Sequence, residues 1–243
     1  MKKTFLVIWC LLLLFVCVGS YAQDACEACG LPKSVHSDFY TVDVEQVRCL
    51  ARHSDKDITA FYTYAPGCGS SERGLPLAVE LARQYGMDLY LLLMDKEDDK
   101  FSTINPVSAM IDTVSCYELK AVIITDSLYS PKSFKRLNAP IRKFIRIDGE
   151  RYYEKYTRFL KEIIPPDFEP KFDRMKMLVL NRQGEVLLVT SYEDVLVNGD
   201  GTVDGFILRE KVKQCVEKER KMNQHQSLRS HKLQTCSNVY AKS

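Results

Sequence analysis

Apolar positions recur along this chain with two periods, and the switching between them sets out the elements to expect. From Val44 to Arg52 the residues Val44, Val47, Leu50 and Ala51 share one side of a short helix. Ile58 to Tyr64 (ITAFYTY) is rich in β-branched and aromatic residues and predicts a strand. A break at Pro66-Gly67 follows. Ser71 to Tyr85 then sets Leu75, Ala78, Leu81, Ala82 and Tyr85 at helical spacing, with Gly86 as the stop. Leu89 to Met94 (LYLLLM) is apolar on both faces, the pattern of a central strand covered by helices on two sides. Ile104 to Cys116 reads as a helix, Ala121 to Thr125 (AVIIT) as a buried strand, and Tyr152 to Ile164 as a helix stopped by Pro165-Pro166. Met177 to Asn181 and Glu185 to Thr190 flank Arg182-Gln183-Gly184 as a hairpin. Phe206 to Glu219 closes the series as a helix with Leu208, Val212, Cys215 and Val216 on its apolar face.

Strands alternating with helices and ending in a hairpin predict an α/β fold. A central mixed β-sheet is flanked by helices, parallel in its core and antiparallel at one edge. The N-terminus adds a compartment. Lys2 and Lys3 precede an apolar run from Phe5 to Val18, and Ser20-Tyr21-Ala22 offers small residues at a cleavage site. That is the layout of a secretory signal peptide over residues 1–22, so the chain is expected to be exported, to a periplasmic or extracellular location. The run is short for a membrane span of roughly 20 residues. Cys17 after Leu14-Phe15-Val16 raises a lipoprotein as the lesser alternative, and membrane attachment would follow only from lipidation. Residues 23–54 read as an N-terminal arm and short helix, 55–222 as the main domain, and 223–243 as a polar, disordered tail.

Nine cysteines make the chemistry of interest, and Cys10 and Cys17 would leave with the signal. The odd number that remains leaves at least one thiol without an intrachain partner. The net charge of +2, together with export, argues against nucleic acid as a partner. Residues 129–161 carry ten Lys and Arg against Asp148, Glu150 and Glu154, with Tyr152, Tyr153, Tyr156 and Phe159 between them. A solvated face whose aromatics pack on the core explains this better than an anion-binding patch.

The order of elements, with Cys68 where a strand turns into a helix, resembles the thioredoxin-like fold. It is most similar to the TlpA-like thiol-disulfide oxidoreductases, which carry an inserted helix and strand. The resemblance covers roughly residues 55 to 220. It rests on Cys68-Gly69-Ser70-Ser71, on Pro76 eight residues after the cysteine, and on the turn Leu180-Asn181-Arg182-Gln183-Gly184. It implies that Cys68 is the attacking nucleophile, with protein thiols or disulfides as partners and no cofactor or metal. A thiol at a helix start faces unpaired backbone N–H groups, which favour the reactive thiolate. Two family markers differ. Ser71 stands at the resolving-cysteine position, making a C-x-x-S site, and Met175, flanked by Arg174 and Lys176, stands where the family has a cis-proline. Two functions therefore compete: monothiol thiol–disulfide exchange through Cys68, and a redox-inactive module that binds or supports. A peroxidatic cysteine ranks third, because Ala65 occupies the place of the Thr or Ser such sites carry.

The remaining candidates have plainer readings. Cys26-Glu27-Ala28-Cys29 is a C-x-x-C outside a strand-to-helix context; it is expected in a disulfide, or as a source of the thiol that releases Cys68. With His36, His53, His225 and His231 scattered, a tetrahedral metal site is disfavoured. Cys215 belongs to an apolar stripe and reads as core. Cys49 and Cys116 are open to pairing, and Cys236 in the tail to pairing between molecules. Asn198 to Asp204 resembles a calcium loop, but Ile207 falls where an acid is required, so a turn capped by Asp204 is preferred.

Overall fold

The runs Ile58–Tyr64 and Asp88–Leu93 lie side by side at the centre of a six-stranded sheet. The computed structural model describes residues 25–33, 39–64, 69–93, 120–129, 147–166, 168, 177–197 and 203–240. The first elements are α1 (Ala25–Ala28), β1 (Tyr40–Val42), α2 (Val44–Arg52), β2 (Ile58–Tyr64), α3 (Gly69–Tyr85) and β3 (Asp88–Leu93). They are followed by β4 (Lys120–Ile124), α4 (Asp126–Tyr129), α5 (Ile147–Ile163), β5 (Met177–Asn181) and β6 (Val186–Val189). A two-residue strand pair, β7 (Leu196–Val197) with β8 (Val203–Asp204), leads into α6 (Phe206–Tyr240). The predicted helix over 104–116 lies outside the described residues.

The sheet order is β1-β4-β3-β2-β5-β6. Strands β1, β4, β3 and β2 run parallel, and β5 and β6 return antiparallel. This is the expected mixed sheet flanked by helices. All seven residues of β2 are buried, as a strand covered on both faces requires. One face carries Ile58, Ala60, Tyr62 and Tyr64 of β2 beneath Leu75, Ala78 and Leu81 of α3 and Leu208, Val212 and Val216 of α6. The opposite face carries Phe61, Tyr90 and Leu92 beneath Val44, Val47 and Leu50 of α2 and Tyr156, Phe159 and Ile163 of α5. There Phe61 and Tyr90 stack with ring centres 5.2 Å apart.

Local signals account for several boundaries. Asp43 accepts from the Gln46 amide at 2.8 Å while the Gln46 side chain accepts from the Asp43 amide at 2.9 Å, a reciprocal capping box at the start of α2. In the β5–β6 turn, Asn181 Oδ1 accepts from the amides of Gln183 (3.0 Å) and Glu185 (2.9 Å). Gly184 there takes φ +79, which a side chain would resist. At the start of α6 the Gly205 carbonyl accepts from the Arg209 amide at 2.9 Å, so Gly205 holds the cap position; Asp204, the expected cap, lies one residue earlier and accepts from the Phe206 amide at 3.0 Å.

The structure departs from the sequence expectations at both ends. Where residues 23–40 read as a loose arm, α1 forms, Ala25 and Cys26 are buried, and Tyr40 begins an edge strand paired with Val122 of β4. Helix α5 begins at Ile147 rather than Tyr152. The last helix runs to Tyr240, past both the expected stop at Glu219 and the expected tail from 223. No glycine or proline interrupts that stretch, so nothing in the backbone ends it earlier. Among the described residues no helix is long and apolar enough to cross a membrane.

Candidate functional site

Two cysteine-bearing segments of the chain bear on function. The first is the passage from β2 to α3. Cys68, with Pro66 and Gly67, lies outside the described residues; in the chain it immediately precedes Gly69, the first residue of α3. Ser71, at the resolving-cysteine position, is described and buried at 4 % exposure. Its carbonyl accepts a hydrogen bond from the Tyr62 hydroxyl at 3.0 Å, so the underlying strand is tied to the first turn of the helix. Gly74 makes that tie possible. A Cβ at this position would collide with the Tyr62 hydroxyl and lie 3.5 Å from both Tyr62 Cζ and Val195 Cγ1. Pro76 is exposed inside the helix, about two turns past its start.

Arg73 was not among the sequence candidates. Its guanidinium folds back over Gly69, with Nη1 3.4 Å from where a Cβ of that glycine would be. A cation in the first turns of a helix works against the helix dipole, and that mismatch was the available signal. Its position next to the residue after Cys68 adds positive charge at the helix start.

The second lies on the sheet face opposite α3, where Cys26 and Cys29 pack with α2. Cys29 forms a disulfide with Cys49, at a sequence separation of 20 and a Cα–Cα distance of 5.8 Å. Thus the C-x-x-C pair divides. Cys29 is bonded, and Cys26 remains a thiol at 3 % exposure. His53, one helical turn after Cys49, places Nδ1 3.4 Å from Cys49 Sγ and 3.6 Å from Cys29 Sγ. Nδ1 also lies 3.1 Å from the Cys49 carbonyl oxygen. The spacing Cys49-x-x-x-His53 was visible in the sequence, but nothing local indicated that Cys29 would join it.

Cys215 is half-buried on α6, and its thiol is pushed up to about 11, first by burial and then by the nearby Glu219 carboxylate. It is an inert thiol near neutral pH, consistent with its core reading. Cys116 lies outside the described residues, and Cys236 falls on α6. Of the basic segment's aromatics, Tyr156 and Phe159 are fully buried against the sheet, and the Tyr156 hydroxyl pairs with Thr63 Oγ1 at 3.0 Å. The loop residues 198–202 are outside the described residues, as are Met175 and its neighbours. Comparison with protein-family models, with curated proteins and with solved structures finds no match to this chain.

Proposed function

We propose that the chain is an exported protein of thioredoxin-like fold that exchanges thiols and disulfides through Cys68 as a monothiol. Support for the fold comes from the sheet. Strand β2 has parallel β3 on one side and the antiparallel β5–β6 hairpin on the other, and its chain passes into α3. Strand β4, between β3 and the edge strand β1, fits the inserted element of the TlpA-like proteins. The observation that carries the chemistry is the Arg73 guanidinium lying over Gly69, the residue after Cys68. Unpaired amides at the start of a 17-residue helix and a cation beside them both favour a thiolate.

In this reading the Cys68 thiolate attacks one sulfur of a partner disulfide, forming a mixed disulfide and expelling the other sulfur as thiolate. A first external thiol then attacks the Cys68 sulfur and releases the partner as a thiol, leaving Cys68 in a mixed disulfide with the small thiol; a second attacks that bond, returns the Cys68 thiol and leaves with the first as a small disulfide. Ser71 has no sulfur to take that role. Cys26 and Cys29 pack on the sheet face opposite α3, and Cys29 is already bonded, so in this reading neither releases the partner and the releasing thiol comes from outside the chain.

Two measurements test the proposal. The secreted protein should trap partners as mixed disulfides, and Cys68→Ala should trap none through this position; equal trapping by both refutes it. The apparent pKa of Cys68 alkylation should lie below the ordinary ~8.5 and rise in Arg73→Gln. The competing reading, a redox-inactive binding or structural module, draws on the buried, hydrogen-bonded first turn at Ser71. A pKa at or above the ordinary value, with no trapping, would favour it.

A further inference from the structure

We propose that Cys29, Cys49 and His53, once their disulfide is reduced, form a binding site for a thiophilic d10 cation of the Zn2+ type. The three ligand atoms, two Sγ and Nδ1, lie within 4.8 Å of one another. For a tetrahedral Zn2+ with Zn–S of about 2.3 Å and Zn–N of about 2.0–2.1 Å, the S···N edge is about 3.6 Å. The observed edges are 3.4 Å from Cys49 and 3.6 Å from Cys29. Both nitrogen–sulfur edges of such a site are therefore already in place. Only the sulfur–sulfur edge must open, from the bonded contact to about 3.8 Å.

The scaffold holds these atoms on anchored elements. Cys49 and His53 sit four residues apart at the end of α2, so they share one face. That helix is fixed to the sheet by Val47, Leu50 and Ala51, each fully buried. Cys29 follows α1, and Gly30 (φ +60) turns the chain there, with the Gly30 amide donating to the Glu27 carbonyl and the Leu31 amide to that of Cys26. His53 is exposed, which leaves the fourth tetrahedral position to solvent. Soft thiolates with an imidazole are a donor set that Zn2+ accepts and that hard oxygen-seeking cations do not.

Disulfide and metal exclude each other at this site. Two equivalents of an external thiol reduce the Cys29–Cys49 bond, giving two protein thiols and one small disulfide. The cation then displaces both thiol protons and binds two thiolates. Nδ1 gives up its contact with the Cys49 carbonyl and coordinates through its lone pair, with the ring proton on Nε2. The site is thus a redox-gated metal site, and it is independent of Cys68.

The test uses the full mature chain in a Cys68→Ala background, reduced with a phosphine, freed of reductant without air, and titrated with Co2+ and then Zn2+. Reduced protein should take up one Co2+ with thiolate-to-metal charge transfer and tetrahedral d–d bands, both removed by Zn2+; the disulfide form should show neither. His53→Gln, which leaves the disulfide and its packing intact, should weaken affinity by at least about 10-fold, since even outer-sphere changes cost that much. The proposal is overturned if reduced protein binds no more Co2+ than Cys29→Ser/Cys49→Ser, if the oxidised form binds as well, or if His53→Gln has unchanged affinity.

Discussion

Replacing Gly74 by alanine sets two opposing terms against each other at the helix that begins after Cys68. In an isolated helix the change is favourable by about 1 kcal/mol. Here the new methyl would collide with the Tyr62 hydroxyl, which is fully buried and bonded to the Ser71 carbonyl at 3.0 Å. The aromatic ring is rigid, and its flank is closed by Val195 Cγ1, 3.5 Å from the new atom. Overpacking of this kind costs about 1–3 kcal/mol, and loss of the Tyr62 hydrogen bond adds about 1 kcal/mol. Net destabilisation should be about 2 kcal/mol, read as a lower urea midpoint at unchanged slope. The cause can be isolated in a double-mutant cycle. Tyr62→Phe alone should cost about 1 kcal/mol. In that background Gly74→Ala meets only ordinary contacts and should become neutral or stabilising, giving a coupling of about 2 kcal/mol. Equal cost in both backgrounds would refute the contact as the cause; a stabilised single variant would refute the packing of β2 against α3 altogether.

Reduction of Cys29–Cys49, or its replacement by two serines, should lower stability by about 3 kcal/mol from loop entropy alone, given a separation of 20 residues; an unchanged urea midpoint would contradict a formed bond. Cys215, held at about 11 by burial, should resist alkylation at pH 7 and react about tenfold faster per pH unit until that value, as followed by mass spectrometry. The Glu219 carboxyl is raised above its ordinary value by burial, with Glu185 and Asp57 adding to the shift and Asn181 opposing it. The folded state thus binds its proton more tightly than the unfolded state. Its contribution favours folding at low pH and turns unfavourable as pH rises through the carboxylate range. Glu219→Gln should therefore gain stability at pH 7 and lose that gain near pH 4, and a pH-independent effect would sink the assignment. Gly184→Ala places a methyl 3.1 Å from the Arg48 carbonyl at φ +79, whereas Gly86→Ala at φ +64 meets nothing within 4 Å. Both should lose about 1–2 kcal/mol of stability to added backbone strain, with a further loss only at position 184; equal midpoints for the two would refute that.

What the sequence alone determined was the part of the fold whose cause is local. Seven consecutive apolar or β-prone residues make β2 a strand wherever it lies, and the same holds for β3 and for the hairpin around Gly184. The apolar spacing of α2 and the Pro66-Gly67 break before α3 are equally short-range, so Val44–Arg52 and a helix soon after β2 were legible without coordinates. Tertiary structure decided what depends on distant partners. Three residues from Tyr40 to Val42 form a strand only because β4, some eighty positions later, offers its edge, so the arm looked loose in isolation. The pairing of Cys29 with Cys49 and the approach of His53 to both sulfurs need α1 and α2 packed on one sheet face. Arg73 stands four residues after Gly69, a spacing that puts both on one face, but the folding of its guanidinium back over the glycine is a side-chain conformation that the spacing does not fix. Periodicity specifies which face of an element is buried, but contacts between elements far apart in the chain are set only when the sheet order is chosen.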